Sequence, residues 1–194
     1  MRFCLPVMNV ARPAMPVLRP AYAVLMVCTG NICRSPTADG LLRHAMAGHG
    51  LQDVVLVDSA GTHGYHTGEP PDARSTATAR RHGVDISMLR ARPLVAGDFS
   101  RFDLILTMDR GHYDLLQRRC PQGYTNRIRP YLSYAPQFGH DVPDPYYGAE
   151  NGFDTVFRMC TAVTEALVSE ILALPAIRDR QPAQTAGNQK VSEK

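Results

Sequence analysis

The sequence predicts an α/β fold: a single domain on a four-stranded parallel sheet flanked by helices on both faces. Three observations carry this. Strand-length apolar runs alternate with segments of helical spacing along most of the chain. The first strand candidate is apolar throughout, as a strand covered on both sides must be. At 194 residues and 44% hydrophobic, the chain is long and apolar enough for one domain with a real core, plus extensions.

The elements follow in order. Tyr22–Val27 reads as the buried strand, and Pro36–Ala47 as a helix with Leu41, Leu42, Ala45 and Met46 at helical spacing. Val54–Val57 is a second strand, and Ser59–Pro71 is a Gly-, His- and Thr-rich loop. Asp72–His82 reads as a helix stopped by Gly83. Phe102–Thr107 is a third strand, followed by a helix near His112–Arg119. Asn126–Leu132 is a short fourth strand, Val142–Gly148 a Pro-rich loop, and Phe153–Leu174 a long amphipathic helix. In such sheets the ligand crevice lies at the carboxyl ends of the strands. Cys28, Ser59 and Asp109 each follow a predicted strand end, so one crevice can hold all three.

Three domain segments are expected: an extension over 1–20, the folded domain over 21–175, and a tail over 176–194. Pro6, Pro13, Pro16 and Pro20 break any helix in the first segment, and its apolar run is too short for a signal peptide. Met8 and Met15 are alternative starts. The polar Gln-, Ala- and Lys-rich tail is expected to be disordered, as is the first segment. The net charge of +3 belongs to these ends. Arg2, Arg12 and Arg19 face no acid in 1–20, and four basic residues face two acids in 176–194, which leaves 21–175 mildly acidic. Charge therefore gives no case for nucleic-acid binding, and no apolar run is long enough to span a bilayer. Five cysteines without framework spacing point to a reducing, cytoplasmic setting rather than a disulfide-stapled fold.

The most informative segment is Cys28-Thr29-Gly30-Asn31-Ile32-Cys33-Arg34-Ser35-Pro36. A Cys with an Arg six positions later is common by chance; the context is what counts. A strand precedes it, a Pro-led helix follows, and Gly30 stands where the backbone turns tightly. Inward-pointing N–H groups in such a loop make a cradle for a tetrahedral dianion. The same positive potential favours a thiolate at Cys28. Arg34 adds a fork of donors that matches two phosphate oxygens.

Joined to Asp144-Pro145-Tyr146-Tyr147-Gly148, this loop resembles that of the low-molecular-weight protein tyrosine phosphatases of bacterial type. Matching segments include Val57–Thr62, Arg81-His82-Gly83, Arg90-Ala91-Arg92 and Met108-Asp109, so the resemblance spans roughly residues 22–174. It implies hydrolysis of phosphotyrosine through a phosphocysteine, with no metal and no cofactor. Cys28 would be the nucleophile, Arg34 would bind phosphate, and Asp144 would act as general acid and then base. Thr29, Gly30, Asn31, Ile32, Cys33 and Ser35 would complete the phosphate loop. Ser35 would also hydrogen-bond the sulfur and ease its departure. The Asn31 amide would hold an unusual turn, Ser59 would join that network, and Asp109 would support the site. Tyr65, Tyr146 and Tyr147 match aromatic wall positions, which suit an aryl phosphate. Relatives often carry Trp where Tyr65 stands, and His where this chain has Leu89.

Plainer readings stand beside these. Cys33 is either a packing residue or a reversible disulfide partner for Cys28. His63 and His66 read as surface histidines, since no third ligand completes a metal site. Arg90 and Arg92 read as ion-paired surface groups, and Cys4, Cys120 and Cys160 as packing thiols. Arsenate reduction on the same fold needs a relay of nearby cysteines, which Cys120 and Cys160 do not supply. A silent phosphotyrosine-binding module would not need both Cys28 and Asp144. A nucleotide P-loop would need Gly-Lys-Ser/Thr, which the loop lacks. The expected partner is a phosphotyrosine protein, with a bacterial tyrosine kinase as one candidate.

Overall fold

The computed structural model describes residues 19–148 and 151–180. Strands β1 (Tyr22–Cys28), β2 (Val55–Gly61), β3 (Leu104–Thr107) and β4 (Ile128–Pro130) form one sheet in the order β2-β1-β3-β4. Every pairing is parallel. The helices are α1 (Arg34–Gly48), α2 (Ala73–Arg81), α3 (Asp98–Arg101), α4 (Arg110–Arg119), α5 (Asn151–Ala173) and α6 (Pro175–Arg178).

β1 shows why both faces need cover. Val24 and Met26 point to one side, where they pack with Leu42 and Met46 of α1 and Val163 and Leu167 of α5. Ala23, Leu25 and Val27 point to the other, against Phe99 of α3, Phe102 and Leu116 of α4. Side-chain alternation along a strand thus feeds two cores, and no polar residue is tolerated in between.

Three departures from the sequence reading have physical causes. β2 runs four residues further than predicted, because its polar residues are paired rather than solvated. Asp58 takes Arg92, and the Ser59 hydroxyl donates to Asp39. Ser59 therefore lies inside β2, not after its end. β4 keeps only Ile128–Pro130 of the seven residues predicted, with 3₁₀ turns on either side at Thr125–Arg127 and Tyr131–Tyr134. Pro130 has no N–H to continue a ladder. The chain also stays ordered beyond 175: α6 follows α5, and Ile177 is fully buried in the larger core. The remaining predicted extension residues, 1–18 and 181–194, lie outside the described residues.

The last pair of the β1–β2 ladder, Cys28 with Gly61, delivers the segment that begins at Cys28 to the sheet's carboxyl edge. Gly61 is required there: a Cβ would come within 2.7 Å of the His63 carbonyl oxygen and 2.8 Å of that of Thr29. Among the described residues no helix is long and apolar enough to cross a membrane.

Candidate active site

Cys28 ends β1, and Arg34 and Ser35 open α1, two residues earlier than the sequence suggests. The five residues between them wrap into a loop around the sulfur. Asn31 makes this possible by adopting φ 58°, a left-handed conformation that Asn tolerates better than most residues. Its backbone N–H donates to Cys28 Sγ at 3.3 Å, and its side-chain Nδ2 donates to Ser35 Oγ at 2.9 Å. Ser35 Oγ lies 3.0 Å from Cys28 Sγ. Since that oxygen already accepts from Asn31, its own proton is available to the sulfur. The Asn31 side-chain Oδ1 accepts the Arg92 backbone N–H at 3.0 Å. Arg92 is itself held by Asp58 and Asp98.

Arg34 is 4% exposed and engaged at both Nη nitrogens. Its Nη1 donates to Asp109 Oδ2 at 2.9 Å and to the Val142 carbonyl at 3.2 Å. Its Nη2 donates to Asp144 Oδ2 at 2.8 Å and to Thr29 Oγ1 at 3.4 Å. Asp144, half-exposed, also accepts the Tyr146 N–H at 3.0 Å, which fixes its carboxylate over the loop.

Asp109 caps α4, accepting the His112 backbone N–H at 2.8 Å. Burial works against its charge, yet hydrogen bonds and charge from His112, with Arg34 alongside, hold its carboxyl down at about 2. Cys33 behaves in the opposite way. Burial first, then the neighbouring Asp72 charge, push its thiol up to about 12. Of the two loop cysteines, Cys33 is thus a protonated packing group against Ile32, Ala91 and Phe153. Both loop cysteines are free thiols in this structure.

These groups surround one cavity of about 160 Å³. Cys28, Thr29, Gly30, Ile32, Cys33 and Arg34 form its floor, with Asp144 at one side. Tyr65, Tyr146 and Tyr147 stand at its mouth, where Tyr65 and Tyr147 are strongly exposed and Tyr146 meets Tyr147 edge-on. A floor that presents Cys28, Thr29 and Arg34 under flat aromatic walls fits a phosphate on an aryl stem.

Ser59 neither lines the cavity nor hydrogen-bonds to the loop or to Arg34. Its hydroxyl donates to Asp39 Oδ2 at 2.9 Å, so it does not join the Asn31 network. The attraction is electrostatic: Asp39 is buried inside α1, its carboxyl is pushed up by that burial, and Arg43 and Ser59 are the groups that offset it. Arg92 is ion-paired as read, whereas Arg90 donates to the Ser87 and Leu89 carbonyls instead.

Two residues were missed. His66, read as a surface residue, lines the cavity; its Cδ2 would meet a Cβ on Gly30 at 2.9 Å, and Glu69 holds its Nδ1 at 2.8 Å. Its position beside a wall tyrosine was the available signal. His112, read only as part of a helix, is buried behind the loop. The spacing Asp109-x-x-His112 places it one turn into a helix capped by a site carboxylate, which was the clue. Among the described residues there is no group of three or more His, Cys, Asp or Glu placed to hold a metal ion.

Fold and loop together define a class: α/β phosphatases in which a cysteine thiolate attacks phosphorus. A family model described as low molecular weight phosphotyrosine protein phosphatase matches residues 23–174. The human low molecular weight phosphotyrosine protein phosphatase is 39% identical over 150 residues, covering 76% of this chain and 94% of that protein. The Streptomyces coelicolor low molecular weight protein-tyrosine-phosphatase is 40% identical over 154 residues, covering 77% and 93%. A crystal structure of protein tyrosine phosphatase from Entamoeba histolytica, with Hepes in the active site, aligns with TM-score 0.73 at 36% identity, covering 77% of this chain and 96% of that one. The chain belongs to the low molecular weight phosphotyrosine protein phosphatase family, and its activity is that of a cysteine-dependent protein-tyrosine phosphatase.

Proposed function

We propose that Cys28, Arg34 and Asp144 divide the chemistry of one double displacement. The Cys28 thiolate attacks phosphorus in line and takes the phosphoryl group onto sulfur. Arg34, the loop N–H groups and the Ser35 hydroxyl balance charge on the equatorial oxygens. Asp144 gives its proton to the departing phenolate, then takes one from the water that cleaves the thiophosphate. Ser35 steadies the sulfur as it leaves. Thr29, Gly30, Asn31, Ile32 and Cys33 shape the cradle, and Asp109 supports Arg34.

The observation that carries this reading is the convergence of Cys28, Arg34 and Asp144 on one cavity. The substrate is a tyrosine phosphoprotein, and the exposed Tyr65, Tyr146 and Tyr147 favour an aryl ester over the shorter phosphoserine. A bacterial tyrosine kinase in the cytoplasm fits as a partner. Arsenate reduction draws no support from the other cysteines: Cys160 is in the core, where burial pushes its thiol to about 12.

The test is hydrolysis of para-nitrophenyl phosphate in EDTA by wild type, Cys28→Ser and Asp144→Ala. Activity that persists in EDTA, vanishes without Cys28 and falls strongly without Asp144 supports the assignment. Full activity in Cys28→Ser would sink it.

A further inference from the structure

His112 is a buried polar side chain that the double displacement does not use. It is 6% exposed, sits on α4, and reaches across to a loop 83 residues earlier in the chain. Its Nε2 lies 2.8 Å from Thr29 Oγ1, and its Nδ1 lies 2.9 Å from Asp109 Oδ1. The same two partners hold Arg34 from either side: Asp109 Oδ2 takes Nη1 at 2.9 Å and Thr29 Oγ1 takes Nη2 at 3.4 Å. We propose that His112 is a positioning residue that closes a ring, Arg34–Asp109–His112–Thr29, through its backbone N–H to Asp109 and its Nε2 to Thr29, and so fixes the plane of the Arg34 guanidinium for the phosphate.

The proposal rests on Arg34 as the phosphate-binding group. A guanidinium recognises two phosphate oxygens only when its plane and its rotation about the chain are both right. Asp109 alone fixes one Nη and leaves rotation about that contact. Thr29 supplies a second point at the other Nη, and a threonine hydroxyl on a loop is itself free to rotate. The imidazole removes that freedom. It is flat and rigid, and its Nε2 holds the Thr29 hydroxyl, while its Nδ1, close to Asp109 Oδ1, is not aligned for a hydrogen bond. Asp109 is anchored independently, because its Oδ1 also accepts the His112 backbone N–H at 2.8 Å. The side chain of His112 is therefore needed chiefly on the Thr29 side. A purely structural histidine, filling space beneath α4, would not need the Thr29 contact.

The experiment measures inorganic phosphate binding by calorimetry, together with kcat and KM for para-nitrophenyl phosphate. The proteins are full-length wild type, His112→Ala, His112→Gln, Thr29→Val and the double variant His112→Ala/Thr29→Val. Glutamine carries a polar group to about where Nε2 stands, so it serves as the conservative variant and as a guard against misfolding. His112→Ala is expected to weaken phosphate binding and raise KM by about tenfold, the scale of one charge-assisted hydrogen bond. His112→Gln should recover most of that. The double variant should be no worse than the poorer single one, because both break the same ring. Two outcomes overturn the proposal: wild-type phosphate affinity in a folded His112→Ala, or losses that multiply in the double variant. Phosphate affinity needs no turnover, so a wild type that binds phosphate but hydrolyses nothing would count against the phosphatase assignment while leaving the ring to be judged by the variants.

Discussion

Arg34 Nη2 and Asp144 Oδ2 stand 2.8 Å apart, so the arginine proposed to bind phosphate and the carboxylate proposed as general acid hold one another. A phosphate entering the loop must take that Nη2 from the carboxylate. Asp144, released from the guanidinium, takes up a proton from solvent and turns to the leaving group, where that proton is needed. The exchange costs the substrate one partly exposed ion pair.

This exchange makes Asp144→Ala a variant with opposite effects on two readouts. Its kcat should fall by about 100-fold or more, the usual scale for a lost general acid. Inorganic phosphate should inhibit it about two- to fivefold more tightly, because the competing carboxylate is gone. Weaker phosphate inhibition alongside the loss of kcat would show that the pair does not compete with the ligand.

Cysteine alkylation should discriminate between the two loop thiols. Burial and Asp72 push Cys33 to about 12, so at neutral pH it stays a thiol and reacts slowly. Iodoacetamide should label the Cys28 peptide first, and inorganic phosphate should protect it. Peptide mapping that finds Cys33 labelled as fast as Cys28 would contradict this.

Ser35→Ala should separate the two half-reactions. Its hydroxyl lies 3.0 Å from Cys28 Sγ and is poised to donate there. Without it, sulfur is a poorer leaving group in the second step. Rapid mixing should show a burst of nitrophenol followed by a steady rate lowered by about tenfold or more. A uniform slowing with no burst would place the role of Ser35 in the first step instead.

Asp109 makes stability depend on acid pH. Its folded carboxyl, at about 2, is below the ordinary value near 4. The unfolded state therefore binds a proton first as pH falls. The stabilisation is complete above about pH 4 and is lost between about 4 and 2. Thermal midpoints from pH 5 to 2 should fall more steeply for wild type than for Asp109→Asn. Parallel curves would show that His112 and Arg34 do not hold the charge.

Much of this was legible in the sequence because the chemistry is local. Cys28 to Ser35 form one continuous loop, and its flanks declare themselves as an apolar strand and a Pro-led helix. β1 was readable because both of its faces are buried. What was hidden depends on partners far away in the chain. The length of β2 rests on Arg92 and Asp39 satisfying Asp58 and Ser59. Asp39 sits among apolar helix positions, so nothing local says that it captures Ser59. His112 meets Thr29 only because parallel strands carry both to the same edge. The short β4 ends at a proline whose effect depends on where the ladder stops, and α6 is held by the burial of a single residue, Ile177.

The most direct measurement is the search for phosphorus on sulfur. Wild type and Ser35→Ala would be mixed with an excess of para-nitrophenyl phosphate, quenched in acid within milliseconds, and digested for mass spectrometry. The double displacement predicts a phosphoryl group on the Cys28 peptide, more abundant in Ser35→Ala and absent in Cys28→Ser. Turnover at full rate with no phosphorylated Cys28 in either protein would contradict it and point to direct attack by water.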